Sequence, residues 1–258
     1  MFSGEDRERV RTRLLEQAQA DSRLVAAAAI GASAGEGDRW SDLDLTFGVA
    51  HGTPVEEVLT DWTTAVESEF DAIVLFDLSV GSSIYRVFLL PGTLQVDLSF
   101  TPAAEFGALG PKFHLLFGEA VQRLVTPPPS PEHTFGLAVH HIVRARICVE
   151  RGRLWQAEYW LHGVRDAALS LACSRLGLES SHGRGFDRLP PEVLAPLEGA
   201  LVGAVTPAEL LRALGSATAG LMREAADMPD RGAPWLRAEL EELDRQAGSA
   251  PQPAERRD

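Results

Sequence analysis

The sequence lacks any apolar run close to the roughly 20 residues that a membrane-spanning helix needs. Its start, MFSGEDRERVRTRLLEQ, has neither the apolar core nor the cleavage site of a secretory signal, so we expect a cytoplasmic protein. Cysteine is scarce. Cys148 and Cys173 lie far apart in helix-like sequence and form no metal motif, which predicts two buried thiols.

Basic residues are also few, with 24 Lys and Arg against 37 Asp and Glu and a formal net charge of −13. Binding along DNA or RNA requires a basic surface, so this balance counts against a long nucleic acid as partner. An acidic cleft concentrates cations, so a polycationic small molecule is compatible with the charge, though not required by it. The phosphate-loop pattern GxxxxGK[ST] is absent. GASAGEG at 31–37 is not a Rossmann loop either, because an acidic strand follows it where a helix should begin.

A proline cluster, PPPSPEH at 127–133, separates two kinds of sequence in the 258-residue chain. Before it, apolar periodicity predicts helices at 5–20 and 54–70 and strands at 24–30, 41–49, 72–79, 83–90 and 94–100. After it, the periodicity predicts helices at 134–151, 154–176, 191–203, 207–226 and 233–246. We therefore predict an α+β protein: a mixed sheet with flanking helices over 1–126, an all-α helical bundle domain over 127–246 and a disordered tail over 247–258.

Two local signals predict where helices begin in the first half. Thr53, Pro54 and Glu56 have the spacing of a capping box ahead of the helix at 54–70. Thr101-Pro102 predicts a further helix after the last strand.

Two carboxylates point the same way from one predicted strand. In SDLDLTFGV (41–49), Asp42 and Asp44 alternate with Leu43 and Leu45, and residues two apart on a strand share a face. Neighbouring carboxylates raise each other's pKa unless a cation lies between them, and Mg²⁺ prefers such oxygen ligands. Asp97, in LQVDLSF on a later strand, is the candidate third ligand. Asp-x-Asp is also common on solvated strand faces, so the pattern alone does not distinguish a metal site from an ordinary solvated strand.

A glycine-rich loop, GASAGEGDRW at 31–40, separates the apolar strand at 24–30 from the acidic strand. Glycines let backbone N–H groups approach phosphate oxygens closely, and a nearby serine adds a hydroxyl donor. Gly31, with Ser33 or Ser41, is therefore the predicted phosphate-binding part of the site.

Gly31-Ala32, a nine-residue spacer and Asp42-Leu43-Asp44-Leu45 resemble the signature of the DNA polymerase β-type nucleotidyltransferase superfamily. That signature is a Gly-Ser or Gly-Gly turn, a spacer, two acids alternating with apolar residues, and a third acid on a later strand. More narrowly, GEGDRWSDLDL resembles small bacterial antibiotic nucleotidyltransferases of the aminoglycoside and lincosamide type. The match covers residues 24–100. Ala32 departs from the family pattern: either Ser33 takes over the phosphate contact, or triphosphate binding is weakened.

The resemblance implies a fold, an activity and cofactors. Asp42, Asp44 and Asp97 would hold Mg²⁺, as two ions, and ATP or another nucleoside triphosphate would be the co-substrate. A hydroxyl of a small molecule, most concretely an aminoglycoside-like antibiotic, would attack the α-phosphorus and release pyrophosphate. Asp97 would either complete the second metal site or accept the hydroxyl proton. A homodimer is compatible with the family.

The predicted helix over 153–178 carries a polar face formed by Glu158, His162, Arg165 and Asp166. Antibiotic nucleotidyltransferases often take a general base and substrate contacts from their helical domain. The resemblance thus implies Glu158 as a base and Arg165 as a phosphate ligand. A salt-bridge ladder on a solvated helix face explains the same pattern equally well.

Two other functions fit the residues. An antitoxin-like relative would transfer the nucleotide to a protein. A catalytically silent relative would only bind nucleotide, and Ala32 is the reason to consider it.

Overall fold

A computed structural model of the chain describes residues 1–31, 40–110, 112–124, 127–226, 238 and 240–242. Ala32, Ser33, most of the helix predicted at 233–246 and the tail predicted at 247–258 lie outside these described residues. The chain divides into two compact units, Met1–Pro127 and Pro128–Asp258. Among the described helices, none has both the length and the apolar character needed to cross a bilayer.

The first unit contains one six-stranded mixed sheet. Its elements are α1 (Gly4–Ala20), β1 (Leu24–Ile30), β2 (Leu43–Val49), α2 (Val55–Phe70), β3 (Ile73–Val80), β4 (Ser83–Leu90), β5 (Leu94–Pro102) and β6 (Phe113–Phe117). The strand order is β3-β4-β5-β2-β1-β6. Strands β2 and β5 pair in parallel, and the other neighbouring pairs are antiparallel.

One face of the sheet, which we call the helix face, packs against α1 and α2. Alternate residues of the two central strands supply this core, and all of them are buried: Leu43, Leu45, Phe47, Val96, Leu98 and Phe100. Residues two apart share a face, so the alternating acids of β2 necessarily point to the other side. That opposite side, which carries Asp44 and Asp97, is called the carboxylate face below.

Trp62 of α2 is the largest side chain in this core and is 1% exposed. Its ring lies 5.0 Å from Phe47 and 5.6 Å from Phe100, measured between centroids. Its indole Nε1 donates a 3.0 Å hydrogen bond to Asp21 at the end of α1. Trp62 therefore ties both helices to the two central strands that carry the aspartates.

The second unit is all-helical in its described residues. It contains α3 (Pro131–Glu150), α4 (Leu154–Arg175), two short 3-10 turns (Ser181–Gly183 and Phe186–Arg188), α5 (Pro191–Glu198) and α6 (Pro207–Glu224). Its core uses one face of each long helix, including Ile142, Leu161, Val164 and Leu214. Cys148 and Cys173 are buried free thiols, as the sequence predicts. The predicted α+β class, a mixed sheet with flanking helices followed by an all-α part, is confirmed.

Several local predictions are wrong. The N-cap of α2 is Pro54, with no side-chain capping hydrogen bond, so the capping box at Thr53 does not form. β5 continues through Pro102 and is followed only by a 3-10 turn at Ala103–Glu105, where a helix was expected. Strand β6 has no counterpart among the predicted strands, because five residues between loops show too little periodicity. α5 ends at Glu198, ahead of the predicted end at 203.

Replacing Trp62 with alanine should destabilise the first unit by about 3–5 kcal/mol, because a buried aromatic side chain is lost and a cavity remains. Chemical denaturation followed by far-UV circular dichroism would measure the change. Trp155 is 77% exposed, so Trp155→Ala is the matched control and should change stability by less than about 0.5 kcal/mol. Equal losses in the two variants would contradict this account of the core.

Candidate functional site

Three aspartates meet at the edge of the carboxylate face. Asp44 of β2 and Asp97 of β5 are direct partners in the parallel ladder, and Asp42 immediately precedes β2. One carboxylate oxygen from each of the three lies within 4.8 Å of those from the others. All three side chains are half-buried. The structure therefore brings the three predicted ligands together from positions up to 55 residues apart.

The electrostatics of the cluster favour a cation. Burial raises the pKa of the Asp97 carboxyl, a hydrogen bond from Gln95 partly lowers it, and the charge of Asp42 raises it further. The Gln95 Nε2 donates to Asp97 Oδ1 over 3.0 Å. A divalent cation would remove the repulsion between the carboxylates. It would also stabilise their charged forms, which burial separates from water.

The backbone around the aspartates is held by neighbouring elements. Leu43 and Leu45, which flank Asp44, are 0% exposed and anchor β2 to the core. Arg7 of α1 donates from its Nε to the backbone oxygen of Asp42 over 3.2 Å. These contacts fix where the carboxylates leave the chain, and such preorganisation is what a metal site requires.

Gly31, at the end of β1, lies directly against the Asp44 carboxylate. Its φ is +59°, a conformation that side-chain-bearing residues rarely adopt. A Cβ at this position would lie 2.9 Å from Asp44 Oδ2, and the Gly31 N–H donates to the Lys112 carbonyl over 3.1 Å. The positive φ therefore favours glycine here, and a side chain at this position would also shift the Asp44 carboxylate.

The other predicted nucleotide contacts are less closely defined. Ser41 is half-buried and directly precedes Asp42, and its role as a phosphate ligand stays a prediction. Ser33 lies outside the described residues.

Glu158 and Arg165 belong to the helical unit, on α4. The Glu158 side chain is half-buried. The Arg165 guanidinium donates to the Ala200 carbonyl over 3.2 Å and contacts the His162 ring, and His162 pairs with Asp166 at 3.0 Å. The polar ladder considered from the sequence is therefore present for these three residues. The proposed roles of Glu158 as a base and of Arg165 on phosphate remain predictions.

Arg86 is a charged residue within the apolar strand β4. The structure pairs it with Asp77 through two hydrogen bonds of 2.7 and 2.6 Å, and its third nitrogen donates to Thr63 Oγ1 over 2.6 Å. Arg86 aligns with Leu98 on the helix face, whereas Asp97 points to the carboxylate face. Arg86 is thus a structural residue on the side opposite the aspartates.

Sequence reasoning missed two contacts to the aspartates. Gln95 shares a face with Asp97 through the two-residue period of β5, so its position, though not its hydrogen bond, was predictable. Arg7 is 35 residues from Asp42, and nothing in its local sequence signals the contact.

No protein-family model and no curated protein matches this chain. Among solved structures, an aminoglycoside 6-adenyltransferase from Bacillus subtilis is similar, with a TM-score of 0.41 and 13% sequence identity. The alignment covers 97% of this chain and 100% of that one. Similarity at this level establishes neither a common activity nor a common substrate, so the case for function rests on the carboxylate geometry.

If Mg²⁺ bound to the three aspartates raises the melting temperature, Gly31→Ala should reduce that rise, because the new Cβ would displace the Asp44 carboxylate. Differential scanning fluorimetry with and without Mg²⁺ would measure it. Gly81 has a similar φ of +62° but open space around its Cα, so Gly81→Ala shares the backbone strain of about 1–2 kcal/mol without the clash. Gly81→Ala should keep the Mg²⁺ response. Loss of the response in both variants, or in neither, would contradict the assigned contact.

Proposed function

We propose that the protein is a metal-dependent nucleotidyltransferase that moves a nucleoside monophosphate, AMP from ATP, to a hydroxyl of a small molecule. The observation that carries this proposal is the group of three carboxylates, Asp42, Asp44 and Asp97, whose ligand oxygens lie within 4.8 Å of one another on adjacent parallel strands. Gly31 lies beside Asp44 at the start of a glycine-rich loop, and because its own N–H donates to the Lys112 carbonyl, the proposed phosphate donors are later N–H groups of that loop.

The residues present fit Mg²⁺. Carboxylate oxygens are the hard ligands that this ion prefers, and it usually shares them with substrate phosphates. Asp42 and Asp44 would hold the ion on the nucleotide side, and Asp97 would complete the site. When bound, the metal would neutralise negative charge that develops on the entering and leaving oxygens during phosphoryl transfer.

The chain's own residues position the reactants and move one proton. The acceptor hydroxyl oxygen forms a bond to the α-phosphorus, and the bond from that phosphorus to the α–β bridging oxygen breaks. Pyrophosphate leaves with the bonding electrons, and the hydroxyl proton passes to a carboxylate. Asp97 is the first candidate for that carboxylate, because its oxygens lie within 4.8 Å of those of the two other aspartates. Glu158 of α4 is the alternative base.

The acceptor class follows less directly. The formal charge of −13 would concentrate a cationic acceptor near the protein, so an aminoglycoside-like antibiotic is one candidate among hydroxyl-bearing small molecules. Gly31, Ser33 and Ser41 are the proposed phosphate contacts in the first unit, and Arg165 is the proposed contact from the helical unit. A resistance function would follow if such an antibiotic proves to be the acceptor.

Asp42→Asn, Asp44→Asn and Asp97→Asn should each lower turnover by at least about a hundredfold, because each removes a charged ligand of the ion. The measurement is pyrophosphate release from ATP and Mg²⁺ across a panel of hydroxylated small molecules. Asp61→Asn is the control: its carboxylate is 63% exposed and only pairs with Arg23 at the surface. Binding of ATP and Mg²⁺ without pyrophosphate release on any acceptor would reject the enzyme and favour a silent nucleotide-binding protein.

The two roles assigned to α4 are tested separately. If Glu158 is the base, Glu158→Gln should lower kcat by about 10²–10⁴-fold. If Arg165 binds phosphate, Arg165→Lys should raise KM for ATP without lowering the melting temperature. A fall in melting temperature with unchanged KM would instead assign Arg165 to its contacts with Ala200 and His162.

A further inference from the structure

The carboxylate face changes character from one strand to the next. Across one row of the sheet, Asp44 of β2 is paired with Asp97 of β5, Asp97 with Val87 of β4, and Val87 with Phe76 of β3. Neighbouring strands lie about 4.8 Å apart, so Phe76 is displaced from Asp97 by about 10 Å along the sheet. The row therefore passes from acidic to apolar within the length of a small molecule.

The next rows repeat this division. Ser99 of β5 pairs with Tyr85 of β4, which pairs with Leu78 of β3. On the β3 side the outward residues of this face are large, apolar and exposed: Ile73 57%, Phe76 56%, Leu78 54% and Val80 43%. Val87, between this strand and Asp97, is buried, with 4% of its surface exposed. We call Val87, Tyr85, Phe76 and Leu78 the apolar shelf.

The charged residues of β3 and β4 do not interrupt the shelf. Asp77 and Arg86 pair with each other and align with Leu98, so they belong to the helix face. Single exposed apolar side chains are ordinary, but an in-register group of them beside polar residues marks a binding surface. The shelf begins at Val87, the direct strand partner of Asp97, so its exposed side chains lie two strands from the carboxylate site on the same face.

We infer that the apolar shelf binds the non-reacting part of the acceptor, which is therefore an amphipathic molecule with its hydroxyl joined to an aromatic or aliphatic body. This inference rests on the proposed function. With the hydroxyl at Asp97, a body of about 10 Å, such as an aryl group or a medium alkyl chain, reaches Phe76 and Leu78. An ammonium group placed on the shelf would lose hydration without finding a charged partner there. The shelf thus selects against a polycation over this part of the acceptor.

The test uses full-length protein and acceptors that differ only in their apolar body: octyl and phenyl β-glucosides against methyl β-glucoside, with a polyamino sugar as the competing class. Transfer of labelled AMP and calorimetric binding are measured for each. The octyl and phenyl compounds should bind at least about tenfold more tightly than the methyl compound. Leu78→Ser and Phe76→Ser should remove that preference.

Leu115→Ser is the matched control. Leu115 is 39% exposed and lies on β6, at the opposite edge of the sheet from Leu78. The two belong to the same row of strand partners, which runs through Ala28, Thr46, Ser99 and Tyr85. It should keep the preference for the apolar acceptors.

Three outcomes would overturn the shelf assignment. These are equal binding of the octyl, phenyl and methyl compounds, better use of the polyamino sugar, and a dimer that Phe76→Ser converts to monomer, since a second copy would then cover the shelf. ATP and Mg²⁺ binding that depends on Asp44 is measured in parallel. If that binding is retained, only the assignment of the shelf to the acceptor is rejected. If it is absent, the proposed nucleotidyltransferase function is rejected as well.

Discussion

The parallel pairing of β2 with β5 is the constraint on which the rest of the structure depends. It places Asp44 directly beside Asp97, an arrangement that electrostatic repulsion opposes. The opposing force comes from the other side of the same strands, where Leu45, Leu98 and the aromatic group around Trp62 are fully buried. Burial of those side chains holds the ladder in register, so the carboxylates cannot separate to relieve their repulsion. The fold thus maintains a site that a cation would stabilise.

The two faces of the sheet divide structural and chemical roles. Charges on the helix face are satisfied within the chain, as the Arg86 contacts to Asp77 and Thr63 illustrate. The carboxylate face differs. The pKa of Asp97 is raised by burial and by the charge of Asp42, and large apolar side chains of β3 are exposed to solvent. Buried acids close together and exposed apolar side chains both lower the stability of a fold. Proteins keep such features mainly at sites that bind a ligand. The distribution of charge and apolar area therefore puts the proposed site on one side of the sheet.

The polar face of α4 shows how far helical spacing can be interpreted. His162, Arg165 and Asp166 were grouped by their spacing of three to four residues, and they do contact one another. Arg165 also donates a hydrogen bond to the Ala200 carbonyl, a contact outside the helix that its spacing does not predict. A shared helix face therefore establishes which side chains of one helix are neighbours. Contacts of those side chains with other parts of the protein or with a substrate depend on the tertiary structure.

The sequence by itself determined the features that depend on local periodicity and on backbone freedom. The alternation in SDLDLTFGV put both acids on one face, and the glycine after the first strand was predicted to let the backbone approach a phosphate, whereas its contact with Asp44 came from the structure. Tertiary structure alone decided which strands lie side by side: that Asp97 meets Asp44, that Arg86 turns away from both, that Arg7 binds the Asp42 carbonyl, and that β6 completes the sheet. The physical reason is that periodicity specifies the direction of a side chain along its own strand. Lateral neighbours come from strand order and register, which are set by burial of the whole core.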